Sequence, residues 1–314
     1  MVISAVEQDK RTVGERSAKR SPAGAGRPKR SRTRWLWFIL PSLVLVLVFF
    51  VVPFLLNVPF AFTQWTAYSP VISFNGISNF EFLWQNGTLQ NAVVVTLAYA
   101  VVAMGVQNVF AMALALTLRN TTRTNSFFRS IFFLPVLISP LAAGFIWRGI
   151  VDPQGPLNSA ISAIIPGFDY AWLGHPVSAL VTVAFIDGWK WSGIATLVYI
   201  AGLNSIPDEL MEAAQLDGAG PWKRFWRISF PLLAPAFTFN IATTLIGALS
   251  AYDVIASTTS GGPGNSTTTI NFALQQQFGS SFYGTASSLG LTVTALVIAI
   301  AVPLVIWLRK REVA

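Results

Sequence analysis

Along most of this chain apolar residues run in long blocks separated by short polar connections, instead of alternating with polar ones. A helix that crosses about 30 Å of hydrocarbon needs roughly 20 mainly apolar residues. Six stretches qualify: about 35–60, 91–118, 130–150, 177–203, 231–252 and 285–308. The fourth is interrupted by a polar patch from Asp187 to Lys190. Unpaired backbone groups are too costly in lipid for a crossing segment to be anything but helical in such a chain. The pattern therefore predicts an all-α integral membrane bundle of six transmembrane helices, residues 35–314, behind a tail of residues 1–34.

Lys and Arg counts between the blocks orient the bundle. Ten of the 21 basic residues precede Trp35. Arg119, Arg123 and Arg129 join the second and third blocks; Lys223, Arg224 and Arg227 join the fourth and fifth; Arg309, Lys310 and Arg311 follow the sixth. With six spans all of these fall on one side, leaving only Arg148 and Lys190. Both termini are thus expected in the cytoplasm. The first block is longer than a signal-peptide core, and Phe60, Phe62 and Trp65 stand where small residues would mark cleavage, so it reads as an uncleaved anchor.

Composition narrows the chemistry. Charged residues are 11% of the chain against roughly 25% in a soluble domain, and 53% is hydrophobic. The net charge of +8 sits largely in the tail, which reads as a solvated basic arm or one that meets anionic headgroups, and does not point to nucleic acid. The chain has no Cys and one His, His175. Thiolate metal sites and disulfides are excluded, and no metal centre, catalytic residue or bound cofactor is expected. The stretch from Gly261 to Thr267 lacks the Lys of a phosphate-binding loop and reads as an outer turn. If transport consumes ATP, another subunit hydrolyses it.

Several polar residues lie in or beside the apolar blocks. Asp187 and Lys190 are three apart and share a helix face; they neutralise one another near the boundary or form a polar wall on a solute path. Trp189 and Trp191 flank Lys190 and suit interfacial anchoring or stacking on a sugar ring. Gln107, Asn108 and Asn240 suit hydrogen bonds between helices. Asn240, Tyr252, Asp253, Ser287 and Ser288, with Asp187, Trp189, Lys190 and Trp191, are the groups available to meet a hydroxylated solute.

The connection between the fourth and fifth blocks, about residues 204–231, is patterned as a hook of two short helices. Asn204 or Ser205 as cap, Pro207, then Asp208 and Glu209 form a helix start. Leu210, Met211, Ala213, Ala214 and Leu216 give the helix an apolar side, and Asp217-Gly218-Ala219-Gly220 ends it. Pro221 opens a second helix in which Trp222, Phe225, Trp226 and Ser229 recur at three and four, and Pro231 marks entry to the fifth span.

Within that hook, Glu212-Ala213-Ala214, three residues, Gly218, nine residues, Ile228, one residue and Phe230-Pro231 resemble the EAA signature of ABC importer permeases. One departure is Phe230 where Leu is usual. The flanks Ile206-Pro207 and Asp217-Gly218-Ala219, then Tyr252-Asp253, Thr259 to Pro263, Thr267 to Thr269 and Tyr283 to Ala286, are similar to the carbohydrate branch, of the maltose and lactose type. The resemblance covers roughly residues 35–311. It implies a permease in the bacterial or archaeal inner (cytoplasmic) membrane, paired with a second permease subunit and two ATPase subunits. ATP and Mg would be bound by those ATPases, and an extracytoplasmic binding protein would deliver a sugar. It further implies that Glu212, Ala213, Ala214, Asp217, Gly218, Ile228 and Pro231 belong to the ATPase-coupling hook. A polyol or glycerol-phosphate permease shares this architecture. An ion-coupled carrier, the rival from another class, calls for ionisable residues at the bilayer midplane and related halves with broken helices; the charge-poor blocks and the absence of an obvious repeat speak against it.

Overall fold

The computed structural model describes residues 32–310, so most of the basic tail and the end of the chain lie outside the described residues. These residues divide after Val52 into two compact units. The first holds α1 (Arg32–Val46) and a π-helical turn, Leu47–Val51. Among the described residues the fold is helical, with one isolated β-bridge between Thr63 and Phe74.

The second unit is organised around two long helices. After α2 (Val52–Phe60) and a short α3 (Ser78–Gln85), α4 (Thr88–Leu118) starts where Gly87 takes φ 79°. The Asn86 side chain accepts a hydrogen bond from Thr88 N at 2.9 Å there. Its 31 residues span about 46 Å at 1.5 Å each. After α5 (Arg123–Leu137), α6 (Pro140–Ile150) and α7 (Pro156–Ser162), the 29 residues of α8 (Pro176–Asn204) pack along α4. Small residues make that approach close: Ala103, Ala111 and Ala115 of α4 are buried, as are Ala184, Gly188 and Ala195 of α8. A Cβ on Gly188 would stand 2.9 Å from the Ala103 carbonyl oxygen. Van der Waals packing of this kind is what associates helices in lipid, where no hydrophobic force separates one apolar face from another.

The hook holds α9 (Asp208–Leu216), then α10 (Pro221–Arg224), a π-helical turn Phe225–Ser229 and α11 (Phe230–Leu232). α12 (Ala234–Leu249) returns along α4 and α8. α13 (Asp253–Thr258) packs on α6, and α14 (Ile270–Gly279) on α15 (Tyr283–Arg309).

Among the described residues three stretches are long and apolar enough to cross a membrane: Ile39–Phe60, Thr88–Leu118 and Tyr283–Arg309. The number reaches five if two bent pairs each count as one span. α8 has the length but not the apolarity, because Asp187-Gly188-Trp189-Lys190 lies at its middle. The expected third span is not one straight helix: α5 and α6 meet at 102°. Pro140 disfavours helical backbone at the residue before it, and Ser139 is extended at ψ 146° and caps α6 by accepting from Ala142 N. The expected fifth span also bends, by 68° at Leu233. Its hook segment runs through Pro231, two residues past the π-helical turn, and breaks only before Ala234-Pro235. A π turn already departs from i→i−4 bonding, which lowers the cost of a proline next to it. α3, α7, α13 and α14, all in the connections, had no counterpart in the sequence pattern.

Candidate functional site

The residues expected on a solute path separate into two groups. A cavity of about 370 Å³ opens among α4, α8, α12 and the link into α13. Asp187 and Trp191 of α8 line it, as do Tyr252 and Asp253 where the backbone leaves α12. α8 brings Asp187 and Trp191 to one wall because four residues are about one helical turn. Tyr252 is non-helical (φ −142°, ψ −58°), so α12 ends and α13 begins at the cavity rim, and its ring stacks on Phe272 at 5.9 Å. Four more polar residues line it: Gln107, Thr243, Thr244 and Ser250. Gln107 Nε2 donates to the Trp191 carbonyl at 3.4 Å. Thr243, Thr244 and Ser250 are absent from the candidates read off the sequence; two adjacent threonines in an uncharged block are the signal that points to this wall.

The other five residues lie elsewhere. Lys190 is buried (1% exposed); its ammonium donates to the Val136 carbonyl at 3.4 Å and stands 3.9 Å from the centre of the Trp191 ring. Trp189 meets Trp147 edge to face at 5.2 Å. Asn240, also 1% exposed, donates from Nδ2 to the Ala195 carbonyl at 3.0 Å and so ties α12 to α8. Ser288 donates to the Ala61 carbonyl at 2.8 Å. Ser287 lines a second cavity of about 360 Å³, with Asn57, Trp65 and Tyr283.

Asp187 is half-buried, and its electrostatic neighbours are Tyr99, Lys190, Trp191 and Asp253. Tyr99 is fully buried, and its hydroxyl lies beside Asp187 without a hydrogen bond of regular geometry.

The second candidate site is the hook. Pro207 precedes α9, Asp208 and Glu209 occupy its first turn, and Gly218 ends it at φ 74°, a left-handed conformation that suits glycine. Gly218 N donates to the Gln215 carbonyl at 3.0 Å and Ala219 N to that of Ala214 at 2.9 Å. Arg224 Nη1 reaches Gln215 Oε1 at 3.3 Å, holding the second helix to the first. Ala214 is buried and Ile228 half-buried, while Glu212, Ala213, Asp217 and Pro231 are exposed. Leu216 and Trp222, at 90% and 75% exposure, are apolar groups open to a partner. A run of rings leads inward: Trp222 to Trp226 at 5.7 Å, Trp226 to Phe230 at 5.0 Å, and Phe230 to Phe237 of α12 at 5.7 Å.

Residues 107–310, which hold both sites, match the family described as "Binding-protein-dependent transport system inner membrane component". The chain is 31% identical over 282 residues to a probable starch degradation products transport system permease protein of Thermoanaerobacterium thermosulfurigenes, covering 89% of this chain and 95% of that one. It is 30% identical over 280 residues to a multiple sugar-binding transport system permease protein of Streptococcus mutans, covering 88% and 96%. A bacterial ABC transporter involved in the import of the acidic polysaccharide alginate has a similar fold, with a TM-score of 0.76 at 22% identity over 88% of this chain and 96% of that chain.

Proposed function

The chain belongs to the family of binding-protein-dependent transport system inner membrane components, and from that premise we propose that it carries a saccharide through the membrane as the permease subunit of an ATP-driven importer. The names of the relatives above, which handle starch degradation products and multiple sugars, support the saccharide. The partners that follow are a second permease subunit, two ATPase subunits that bind ATP and Mg, and an extracytoplasmic binding protein.

The observation that carries the coupling reading is the hook. A helix of nine residues, a left-handed glycine and a second helix held by Arg224 form a stiff projection. Its exposed Leu216 and Trp222 offer apolar surface to an ATPase cleft, with Glu212 free to meet a basic group there. The rings from Trp222 to Phe237 give displacement of the hook a packed route to α12, which forms one wall of the cavity. Switching between inward-open and outward-open states then needs only a rigid-body shift of packed helices.

Six crossings with both termini in the cytoplasm complete the proposal. The basic residues support it, since 19 of 21 fall on one side under that arrangement. Reconstitution of the chain with its partner subunits in proteoliposomes tests the function. Labelled maltodextrin is expected to accumulate only with ATP on the ATPase side and the binding protein on the other. Accumulation driven by an ion gradient without ATP would overturn it.

A further inference from the structure

The lining of the cavity among α4, α8 and α12 is acidic. Two carboxylates line it, Asp187 and Asp253, close enough to act on one another electrostatically. Among the described residues that line it there is no Lys, Arg or His. Lys190, the basic group next to it in α8, acts on Asp187 from outside the lining, where it is buried against the Val136 carbonyl and the Trp191 ring, and Asp253 adds a second carboxylate for that one ammonium. The same cavity holds a polar group with nothing to bond. Thr244 is 6% exposed, lines the cavity, and its Oγ1 is buried without a hydrogen-bond partner. Its neighbour Thr243 bonds back to the Phe239 and Asn240 carbonyls at 2.9 and 3.1 Å, as helix hydroxyls ordinarily do. An orphaned buried hydroxyl is costly, and a ligand that meets it after a turn of the Thr244 side chain toward the cavity recovers that cost. Trp191 and Tyr252 add aromatic surface, which suits the apolar face of a pyranose.

We propose that this cavity is a charge filter on the saccharide path, in which Asp187 and Asp253 admit neutral and amino-bearing sugars and hold back uronates and phosphosugars, while Thr244 hydrogen-bonds a sugar hydroxyl. The two oxygens of each carboxylate accept hydrogen bonds from vicinal hydroxyls or an ammonium group, but they repel a second anion. The inference rests on the reading of this chain as a saccharide permease, and it goes beyond that reading by setting the charge of the substrate.

A cysteine placed in the cavity reads that charge without knowledge of the natural sugar. The chain has no Cys, and Gly247 lines the cavity with open space where a Cβ would stand, so Gly247→Cys is a single reporter. In the assembled transporter, labelling of this chain is followed by mass. Trimethylammonium-ethyl methanethiosulfonate is compared with its sulfonate counterpart, each rate divided by that with a free thiol. The cationic reagent is expected to react at least about tenfold faster. The preference should fall to about one when Asp187→Asn and Asp253→Asn are combined. Asp253 is exposed, so Asp253→Asn alone keeps the comparison available should the double variant fail to assemble, and it should lose part of the preference.

Slowing of the labelling is then measured with maltose, deacetylated chitobiose and a glucuronate disaccharide. The first two should protect and the uronate should not, until the carboxylates are removed. Thr244→Val should weaken protection by maltose while leaving the reagent preference intact. Equal rates for the two reagents, or a uronate that protects the unmodified cavity as well as maltose does, would overturn the filter. A clear reagent preference with protection by none of the three would instead overturn the saccharide reading on which it rests.

Discussion

Tyr199 and Asn108 show how single polar side chains hold this bundle together. The Tyr199 hydroxyl donates to Asn108 Oδ1 at 2.7 Å, buried between α8 and α4, and Asn108 Nδ2 is spent on the Met104 carbonyl. Tyr199→Phe leaves an acceptor unpaired; such bonds between membrane helices are worth about 0.6–1.7 kcal/mol. A lower unfolding midpoint of the detergent-purified protein is expected, with uptake nearly unchanged, and an unaltered midpoint would show that the bond adds nothing. Asn240→Ala should behave alike, since Asn240 is engaged with the Ala195 carbonyl. Loss of uptake at an unchanged midpoint would put Asn240 on the solute path instead. Reading the sequence identified Asn108 and Asn240 as buried amides but not their partners. Arg129 had entered that reading only as a charge; in the structure it reaches back to the Leu118, Arg119 and Asn120 carbonyls and closes the C-terminal end of α4.

Between elements, glycines decide where the bundle closes and where the hook turns. Gly218 sits at φ 74° with no atom within 4 Å of a Cβ added there, so any cost of substitution is in the backbone. Gly218→Ala should cost about 1–2 kcal/mol locally and leave coupling largely intact. Gly218→Pro also removes the hydrogen bond to Gln215 and demands φ near −65°, so it should abolish ATP-driven uptake in protein that still inserts. Normal uptake by that variant, with a full complement of ATPase, would sink the coupling role of the turn. Gly144 of α6 illustrates the packing case. A Cβ there would lie 1.9 Å from Ser257 Oγ of α13. Gly144→Ala should therefore lower the unfolding midpoint, and Ser257→Gly in the same chain should recover most of the loss. Were the double variant no more stable than Gly144→Ala, the contact would not be the cause. The helix pattern of the hook was legible because prolines and a glycine are local signals. The expected cap is corrected: Asn204 and Ser205 close α8, and α9 starts after Pro207 without a side-chain cap.

For the whole molecule the sharpest expectation is topological. Reporter fusions near Gly87, Gly167 and Gly264 should appear outside, and fusions near Thr124 and Gly218 inside. An inside signal at Gly264 would reverse the last two crossings. The long apolar blocks around α4 and α15 and their flanking Arg and Lys carry this prediction, because lipid imposes length and charge rules residue by residue. The same rules are blind to shape. They made single spans of residues 130–150 and 231–252, which the structure bends by 102° and 68°.

What the sequence determined by itself is therefore the solvent, the all-helical class, the order of apolar blocks and the hook with its Glu212 to Pro231 pattern. Each depends on neighbours within a few residues, or on transfer to lipid, and these are properties of composition and spacing. Only the tertiary structure decided which polar residues share a space. Asp187 and Trp191 meet Tyr252 and Asp253 across the cavity, while Lys190, one residue before Trp191, turns to Val136 and stays out of the lining. Such a grouping joins positions more than sixty residues apart through the close approach of α4, α8 and α12. That approach is set by small side chains fitting against one another, and no periodicity along the chain encodes which faces they bring together.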